Sequence, residues 1–188
     1  IAIALNKLGI KTTLIAGPSN LISPKGIEVK KITSADEMLS EVKKLLPVDL
    51  AVCAAAVADF KPAERSKNKI KKENVSLKTI NFIKNNDILE FISKNNKHRP
   101  RLVAGFSAET ENLIENSINK IREKHCDLIF ANDVSQKDIG FNSDYNKISV
   151  IDKKSNIKII PKNKKSFIAN KIAEILLDKL LIDDRNIN

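Results

Sequence analysis

The stretch Leu50-Ala51-Val52-Cys53-Ala54-Ala55-Ala56 indicates the fold class of this chain of 188 residues. An uninterrupted apolar run of this length is typical of a strand that is covered on both faces, as in a parallel sheet between helices. Residues 102–106 and 127–131 read as two further buried strands, and helical patterns separate the three. This alternation predicts an α/β fold with a Rossmann-like, doubly wound, mainly parallel sheet.

The segments on either side of these strands extend the prediction to the whole chain. The residue patterns predict helices over residues 1–8, 83–95, 110–124 and 165–181, together with one after Ser34, whose capping box with Glu37 marks its start. They predict further strands over residues 12–16 and 27–32, and a C-terminal β-hairpin over residues 147–152 and 156–160. Residues 1–188 are therefore expected to form a single domain that ends in a helix.

Composition narrows the classes of protein that this chain can be. Hydrophobic residues make up 42% of it, yet no apolar run is long enough to span a bilayer, and no signal peptide is recognisable. Cys53 and Cys126 both lie in apolar runs, which favours buried thiols and a reducing compartment. We therefore expect a cytoplasmic protein without a membrane partner.

The net charge of +10 leaves several anionic ligands open. A basic surface suits nucleic acid, an anionic membrane or a polyphosphate. Aromatic residues make up only 4% of the chain and Trp is absent, which leaves few side chains for stacking against bases. A basic nucleic-acid-binding domain stays open as an alternative. A flavin or nicotinamide oxidoreductase is disfavoured, because no G-x-G-x-x-G motif is present.

The expected binding edge of the sheet lies where the parallel strands end. Ligands of open parallel sheets bind outside the carboxyl ends of the strands, and residues 55–59, 106–109 and 131–135 fall there. Residues 105–110 are predicted to end a strand and open a helix, so that their N–H groups can face an anion or a base edge.

Several charged side chains near this edge suit a nucleoside triphosphate. Asp59 is the candidate ligand for Mg²⁺, which prefers one or two carboxylates together with phosphates. Lys69 is the candidate phosphate ligand, and Lys120 and Lys124, four residues apart, share one helix face. The alternatives stay open at this stage: a turn or capping role for the aspartate, and solvated charges for the lysines.

Five linked motifs resemble a known family, the bacterial phosphopantothenoylcysteine synthetases, which form the ligase part of the bifunctional coenzyme A biosynthesis protein. The motifs are Ala-Ala-Val-Ala-Asp-Phe at residues 55–60, Lys-Ile-Lys-Lys at 69–72, Lys-Asn-Asn-Asp-Ile at 84–88, Gly-Phe-Ser-Ala-Glu-Thr at 105–110, and Ala-Asn-Asp-Val-Ser at 131–135 with Gly-Phe-Asn-Ser-Asp at 140–144. They follow the family's order and spacing along essentially the whole chain.

The resemblance implies a reaction and a set of site residues. The family couples 4′-phosphopantothenate to L-cysteine with CTP and Mg²⁺, through an acyl-cytidylate intermediate. Asp59 would hold the metal ion. The family's nucleotide contacts would be Cys53, Ala54, Ala55, Lys69, Asn86, Asp87, Ile88, Leu89, Phe106, Lys120 and Lys124.

The resemblance also has departures. Asn86 stands where the family has Pro, which indicates a looser turn. The family's first strand, its Ser-Ser-Gly phosphate loop and an essential Asn would lie upstream of Ile1, so the catalytic residue stays unknown and the chain alone is expected to be inactive as a ligase. The resemblance further implies a homodimer, or a higher oligomer with FMN if a flavin decarboxylase domain lies upstream. No nucleic acid is expected as a partner.

Overall fold

The computed structural model describes residues 1–64, 80–135 and 143–185. The helices of this part are α1 (Ala2–Lys7), α2 (Ala35–Leu45), α3 (Ile88–Ser93), α4 (Leu113–Lys124) and α5 (Lys165–Arg185). The strands are β1 (Thr13–Ala16), β2 (Glu28–Lys31), β3 (Leu50–Cys53), β4 (Phe60–Pro62), β5 (Phe82–Lys84), β6 (Leu102–Glu109), β7 (Leu128–Asp133), β8 (Tyr145–Asp152) and β9 (Ile157–Lys164). None of these helices combines the length and apolar character needed to cross a bilayer.

A five-stranded sheet in the order β3-β6-β7-β8-β9 forms the centre of the molecule. Strands β3, β6 and β7 are parallel, whereas β8 and β9 form an antiparallel hairpin that continues the sheet. Two smaller sheets accompany it, the parallel pair β1-β2 and the antiparallel pair β4-β5. The predicted α/β fold is confirmed, with a Rossmann-like, parallel-rich core and a C-terminal hairpin.

Helices cover both faces of the central sheet, as its apolar strands require. On one face α1 and α5 pack against a core that includes Phe130 and Leu176, both fully buried. On the other face α2, α3 and α4 pack against Ile129 and its neighbours. Successive residues of each strand therefore contribute to opposite cores, and this alternation determines which side chains can meet near the site.

The start of α2 follows the capping signal that the sequence contains. The Ser34 hydroxyl accepts a hydrogen bond from the Glu37 N–H at 3.2 Å. The Glu37 carboxylate reaches back to the Thr33 N–H at 2.7 Å, one residue before the cap. These two bonds satisfy donors that a helix start otherwise leaves unpaired.

Two predicted helix boundaries are wrong. The helix expected over residues 83–95 begins only at Ile88, because Asp87 caps it and Phe82–Lys84 pairs with β4 as a strand. The helix expected from Thr110 begins at Leu113, because β6 stays paired with β7 as far as Glu109. Residues 105–110 therefore do not form a helix start, and the anion-binding N-terminus expected there is absent.

Gly105 shows how closely β6 and α3 approach each other. A Cβ atom on Gly105 would lie 2.6 Å from Leu89 Cδ2 and 2.9 Å from Ile129 Cδ1, and Ile129 is fully buried. We expect Gly105→Ala to lower the free energy of unfolding by about 1–3 kcal/mol, since both neighbours must shift. Gly17→Ala is the matched control, because its nearest neighbour would be 3.9 Å away. Equal urea midpoints for the two variants would contradict this packing.

Candidate functional site

The carboxyl ends of β3, β6 and β7 lie at one edge of the central sheet. Cys53, the last residue of β3, is in register with Gly105, and Glu109 at the end of β6 is in register with Asp133 at the end of β7. Strands β6 and β7 therefore continue four residues past the level at which β3 ends. Of the segments that the sequence predicts at this edge, residues 107–109 and 131–133 are paired with each other, and residues 55–59 lie in the loop that follows β3.

The loop after β3 exposes its carboxylate. Ala54, Ala55 and Asp59 are exposed, whereas Val57 packs into the core beneath α2, α3 and α4. Within residues 1–64, 80–135 and 143–185, the Asp59 carboxylate has no hydrogen bond or ion pair. The same residues contain no cluster of three or more His, Cys, Asp or Glu that could hold a metal ion alone. One carboxylate fits a Mg²⁺ ion that arrives with its other ligands on a polyphosphate.

Asn85 joins this loop to the segment before α3. Its backbone N–H donates to the Asp59 carbonyl at 2.8 Å, and its side-chain Nδ2 donates to the Ala58 carbonyl, also at 2.8 Å. An open cavity of about 310 Å³ lies beside it, lined by Lys84, Asn85, Asn86, Asp87, Glu90 and Phe91. Two predicted nucleotide contacts, Asn86 and Asp87, therefore border a space that a ligand can enter.

Lys124 closes the turn at the start of α3. Asp87 caps α3 by accepting from the Glu90 N–H at 2.8 Å, and its second oxygen lies 3.0 Å from the Lys124 ammonium. Glu90 lies 3.1 Å from the same ammonium and 2.7 Å from Lys94. Partial burial works against the charge of Lys124, but the hydrogen bonds to the two carboxylates outweigh it and raise the Lys124 pKa. Lys124 thus holds α3 against α4.

Lys120 lies one turn earlier in a second polar cluster. Its ammonium is 3.3 Å from the Ser107 hydroxyl and 3.9 Å from Glu109 Oε1. Glu109 also accepts from the Ser107 hydroxyl at 2.6 Å and from Asn116 Nδ2 at 3.3 Å. The cluster carries one ammonium on the same face of the sheet as Lys124.

The remaining predicted residues divide between the two faces. Cys53 and Leu89 pack on the face covered by α2, α3 and α4, where Ile88 is buried. Phe106 points to the opposite face and packs on Phe130, with ring centroids 5.2 Å apart. Lys69 lies outside the described residues. Burial raises the Cys53 pKa to about 12, which keeps its thiol protonated near neutral pH.

Sequence reasoning missed three polar residues near this site, namely Asn85, Glu90 and Asn116. Each was within a motif or helix already singled out, but its partner is distant in sequence or on another element. Glu109 lies within the predicted edge segment 106–109, and β6 extends to it although the predicted strand ended at Phe106. Glu90 follows Asp87 by three residues, which places it in the first turn of the helix that Asp87 caps.

The Glu90 ion pairs give this edge a pH dependence. Hydrogen bonds from Lys94 and Lys124 lower the Glu90 pKa from 4.5 to about 2. Their stabilising effect is present above the unfolded pKa and is lost as the pH falls toward the folded pKa. Between about pH 5 and about pH 3, we expect the melting temperature of wild type to fall further than that of Glu90→Gln. Thermal melts check this, with Glu115→Gln on the exposed face of α4 as control; parallel curves for wild type and Glu90→Gln would contradict it.

Comparisons with known proteins show the family to which this chain belongs. The sequence profile described as "DNA/pantothenate metabolism flavoprotein C-terminal domain" matches residues 1–180. The coenzyme A biosynthesis bifunctional protein CoaBC of Borreliella burgdorferi is 40% identical over 172 residues, which cover 90% of this chain and 43% of that protein. The Haemophilus influenzae protein of the same name is 37% identical over 177 residues, 94% of this chain and 44% of that protein.

A solved structure supports the same relationship. The crystal structure of the C-terminal domain of a coenzyme A biosynthesis bifunctional protein CoaBC matches with a TM-score of 0.72 at 27% identity, covering 97% of this chain and 80% of that one. The chain spans less than half the length of the curated relatives that it matches.

Proposed function

Because this chain belongs to the DNA/pantothenate metabolism flavoprotein C-terminal domain family, we propose that it forms the phosphopantothenate–cysteine ligase part of a coenzyme A biosynthesis enzyme. The reaction joins 4′-phosphopantothenate to L-cysteine at the expense of CTP. The observation that supports the proposal is the exposed loop that carries Asp59, which Asn85 joins to the cavity lined by Asn86 and Asp87. Lys124 pairs with Asp87 at the same cavity.

The proposed chemistry has two steps. A carboxylate oxygen of 4′-phosphopantothenate attacks the α-phosphorus of CTP, and the bond to the leaving pyrophosphate breaks, which yields an acyl-cytidylate. The amine of L-cysteine then attacks the acyl carbon, loses a proton, and CMP leaves with its electron pair as the amide forms. Both attacking groups come from substrates, so the protonated Cys53 thiol needs no part in either step.

The chain's own residues would bind and orient the reactants. Such a reaction depends on positioning and on neutralising phosphate charge rather than on a protein nucleophile. The Lys120 and Lys124 ammonium groups would face the nucleotide, and Asp59 would hold Mg²⁺, which when bound offsets the negative charge of the triphosphate. The exposed Ala54 and Ala55 leave room for the nucleotide to approach the backbone after β3.

Isothermal titration with CTP, ATP, GTP and UTP in the presence of Mg²⁺ tests the proposal. We expect saturable binding of CTP that is stronger than binding of the other three. A single-stranded oligonucleotide titrated at several salt concentrations is the comparison, because a nucleic-acid-binding domain would show affinity that depends on length and salt. Absence of CTP binding together with tight oligonucleotide binding would contradict the proposal.

A substitution of Lys120 directly tests the proposed role of the lysine ammonium groups in binding the nucleotide. We expect Lys120→Gln to weaken CTP binding about tenfold, since hydrogen bonds to a charged partner are worth more than neutral ones. Stability should change little, because the pair with Glu109 is partly exposed and 3.9 Å long. Calorimetry and thermal melts measure both quantities, with the exposed Lys97→Gln as control. Unchanged CTP affinity would leave Lys120 as a structural residue.

The proposal extends to partners and location. Two copies of the chain would associate as a homodimer, since β9 is an edge strand of the central sheet and exposes Ile157 and Ile159. The reaction belongs in the cytoplasm, and FMN would enter only through a flavin decarboxylase domain of the same protein. Light scattering that shows monomers alone at high concentration would contradict the dimer.

A further inference from the structure

We infer that Asn85 is a positioning residue of the proposed site, which sets the place of Asp59 by fastening the loop after β3 to the start of α3. The inference rests on the proposed function for its ligand and on the hydrogen bonds of Asn85 for its geometry. Asn85 is not among the predicted nucleotide or metal contacts. Its role is to hold together the two segments that carry such contacts, the loop after β3 and the start of α3.

The loop that carries Asp59 has few hydrogen bonds of its own. Residues 54–59 belong to no strand or helix, and the bond within the loop runs from the Val57 N–H to the Ala55 carbonyl at 3.2 Å. Asn85 supplies two more, to the Ala58 and Asp59 carbonyls. In the described part of the chain, these are the hydrogen bonds that join residues 54–59 to another segment, so Asn85 fixes the end of the loop that Val57, packed in the core, does not hold.

The two hydrogen bonds from Asn85 to the Ala58 and Asp59 carbonyls form a clip between two segments of the chain. Its neighbours Lys84 and Asn86 are exposed, whereas Asn85 is half-buried, with its side chain turned toward the loop. The bond from its N–H to Asp59 extends the β4–β5 ladder one step beyond the pair Phe60–Lys84. The side-chain bond to Ala58 adds a contact that a strand pair alone would not provide.

The other end of the clip is fixed by Lys124. Two residues after Asn85, Asp87 caps α3 and pairs with Lys124 on α4 at 3.0 Å. A series of contacts therefore runs from α4 through Asp87 and Asn85 to the loop that carries Asp59. Loss of the Asn85 amide would free residues 58–59 while the cap and the α3–α4 ion pairs stay in place.

Hydrogen–deuterium exchange on the whole chain tests the clip without any ligand. We expect Asn85→Ala to speed exchange of the two hydrogen-bonded amides at this loop, that of Val57 and that of position 85, whose N–H donates to the Asp59 carbonyl, and to leave those of β7 and α5 unchanged. Asn85→Asp, which keeps the shape but removes the Nδ2 donor, should have the same effect and serves if the alanine variant does not fold. The exposed Asn96→Ala is the matched control and should match wild type. Unchanged exchange of both amides in both Asn85 variants would overturn the inference.

A binding experiment links the clip to Asp59. We expect Asn85→Ala to weaken binding of CTP with Mg²⁺ about fivefold to tenfold, and to have no further effect in a chain that already carries Asp59→Asn. Additive losses in the double variant would overturn the positioning role. If wild type itself binds no CTP, the proposed function fails, while the exchange experiment still decides whether Asn85 holds the loop.

Discussion

We expect Asp59→Asn to lower the affinity for CTP in the presence of Mg²⁺ on the order of 100-fold, and to leave the melting temperature nearly unchanged. The first effect follows from charge, because an amide cannot replace a carboxylate opposite a divalent cation at close range. The second follows from exposure, because within the described residues the Asp59 side chain has no partner to lose. Calorimetry at several Mg²⁺ concentrations measures the affinity for CTP, and thermal melts measure the melting temperature.

The matched control for this variant is Asp49→Asn. Asp49 is also exposed and lies just before β3, so it is at the end of the strand opposite to Asp59. We expect this control to keep wild-type affinity. Equal affinity in Asp59→Asn and wild type, or an equal loss in both variants, would remove Asp59 from the metal role.

We expect Phe130→Ala to lower the free energy of unfolding by about 3–5 kcal/mol, since it empties a fully buried position at the centre of the sheet. The same change removes the ring on which Phe106, a predicted nucleotide contact, packs at 5.2 Å. We therefore expect Phe130→Leu, which keeps most of the volume, to fold well yet to shift CTP affinity if Phe106 contacts the base.

Chemical denaturation measures the stability effect of Phe130→Ala. Phe82→Ala is the control, because the Phe82 side chain is 61% exposed and its loss should cost no more than about 0.5 kcal/mol. Similar midpoints for the two variants would mean that the face of the sheet covered by α1 and α5 is not the core described above.

The apolar strands could be predicted from the sequence because burial on both faces leaves a continuous signal. Leu102–Glu109 and Leu128–Asp133 are both found where such runs occur, and the hairpin and last helix are confirmed with longer bounds. The sequence-based prediction missed the pairing of β4 with β5, because both strands are only three residues long and largely exposed. They are also far apart in the sequence, at residues 60–62 and 82–84. Local pattern cannot show a pairing that depends on a distant partner.

Some features of the candidate site could likewise be predicted from the sequence, and others could not. Asp59, Lys120 and Lys124 could be proposed from residue type and strand order, and their binding roles stay predictions. The pairing of Lys124 with Asp87 and Glu90 could not be predicted, because it depends on how α3 packs against α4. The role inferred for Asn85 depends on the path of a loop with no regular structure, which leaves no periodic signal.

Alternation along β6 constrains any molecule that contacts the side chains of both Phe106 and Lys120. Phe106 belongs to the layer beneath α5, whereas its neighbour Ser107 meets Lys120 in the layer beneath α4. A compound that contacts both side chains must cross the edge of the sheet from one face to the other, instead of binding within either layer. Ligands confined to one side would gain at most half of these contacts, so flat, short analogues should bind poorly here.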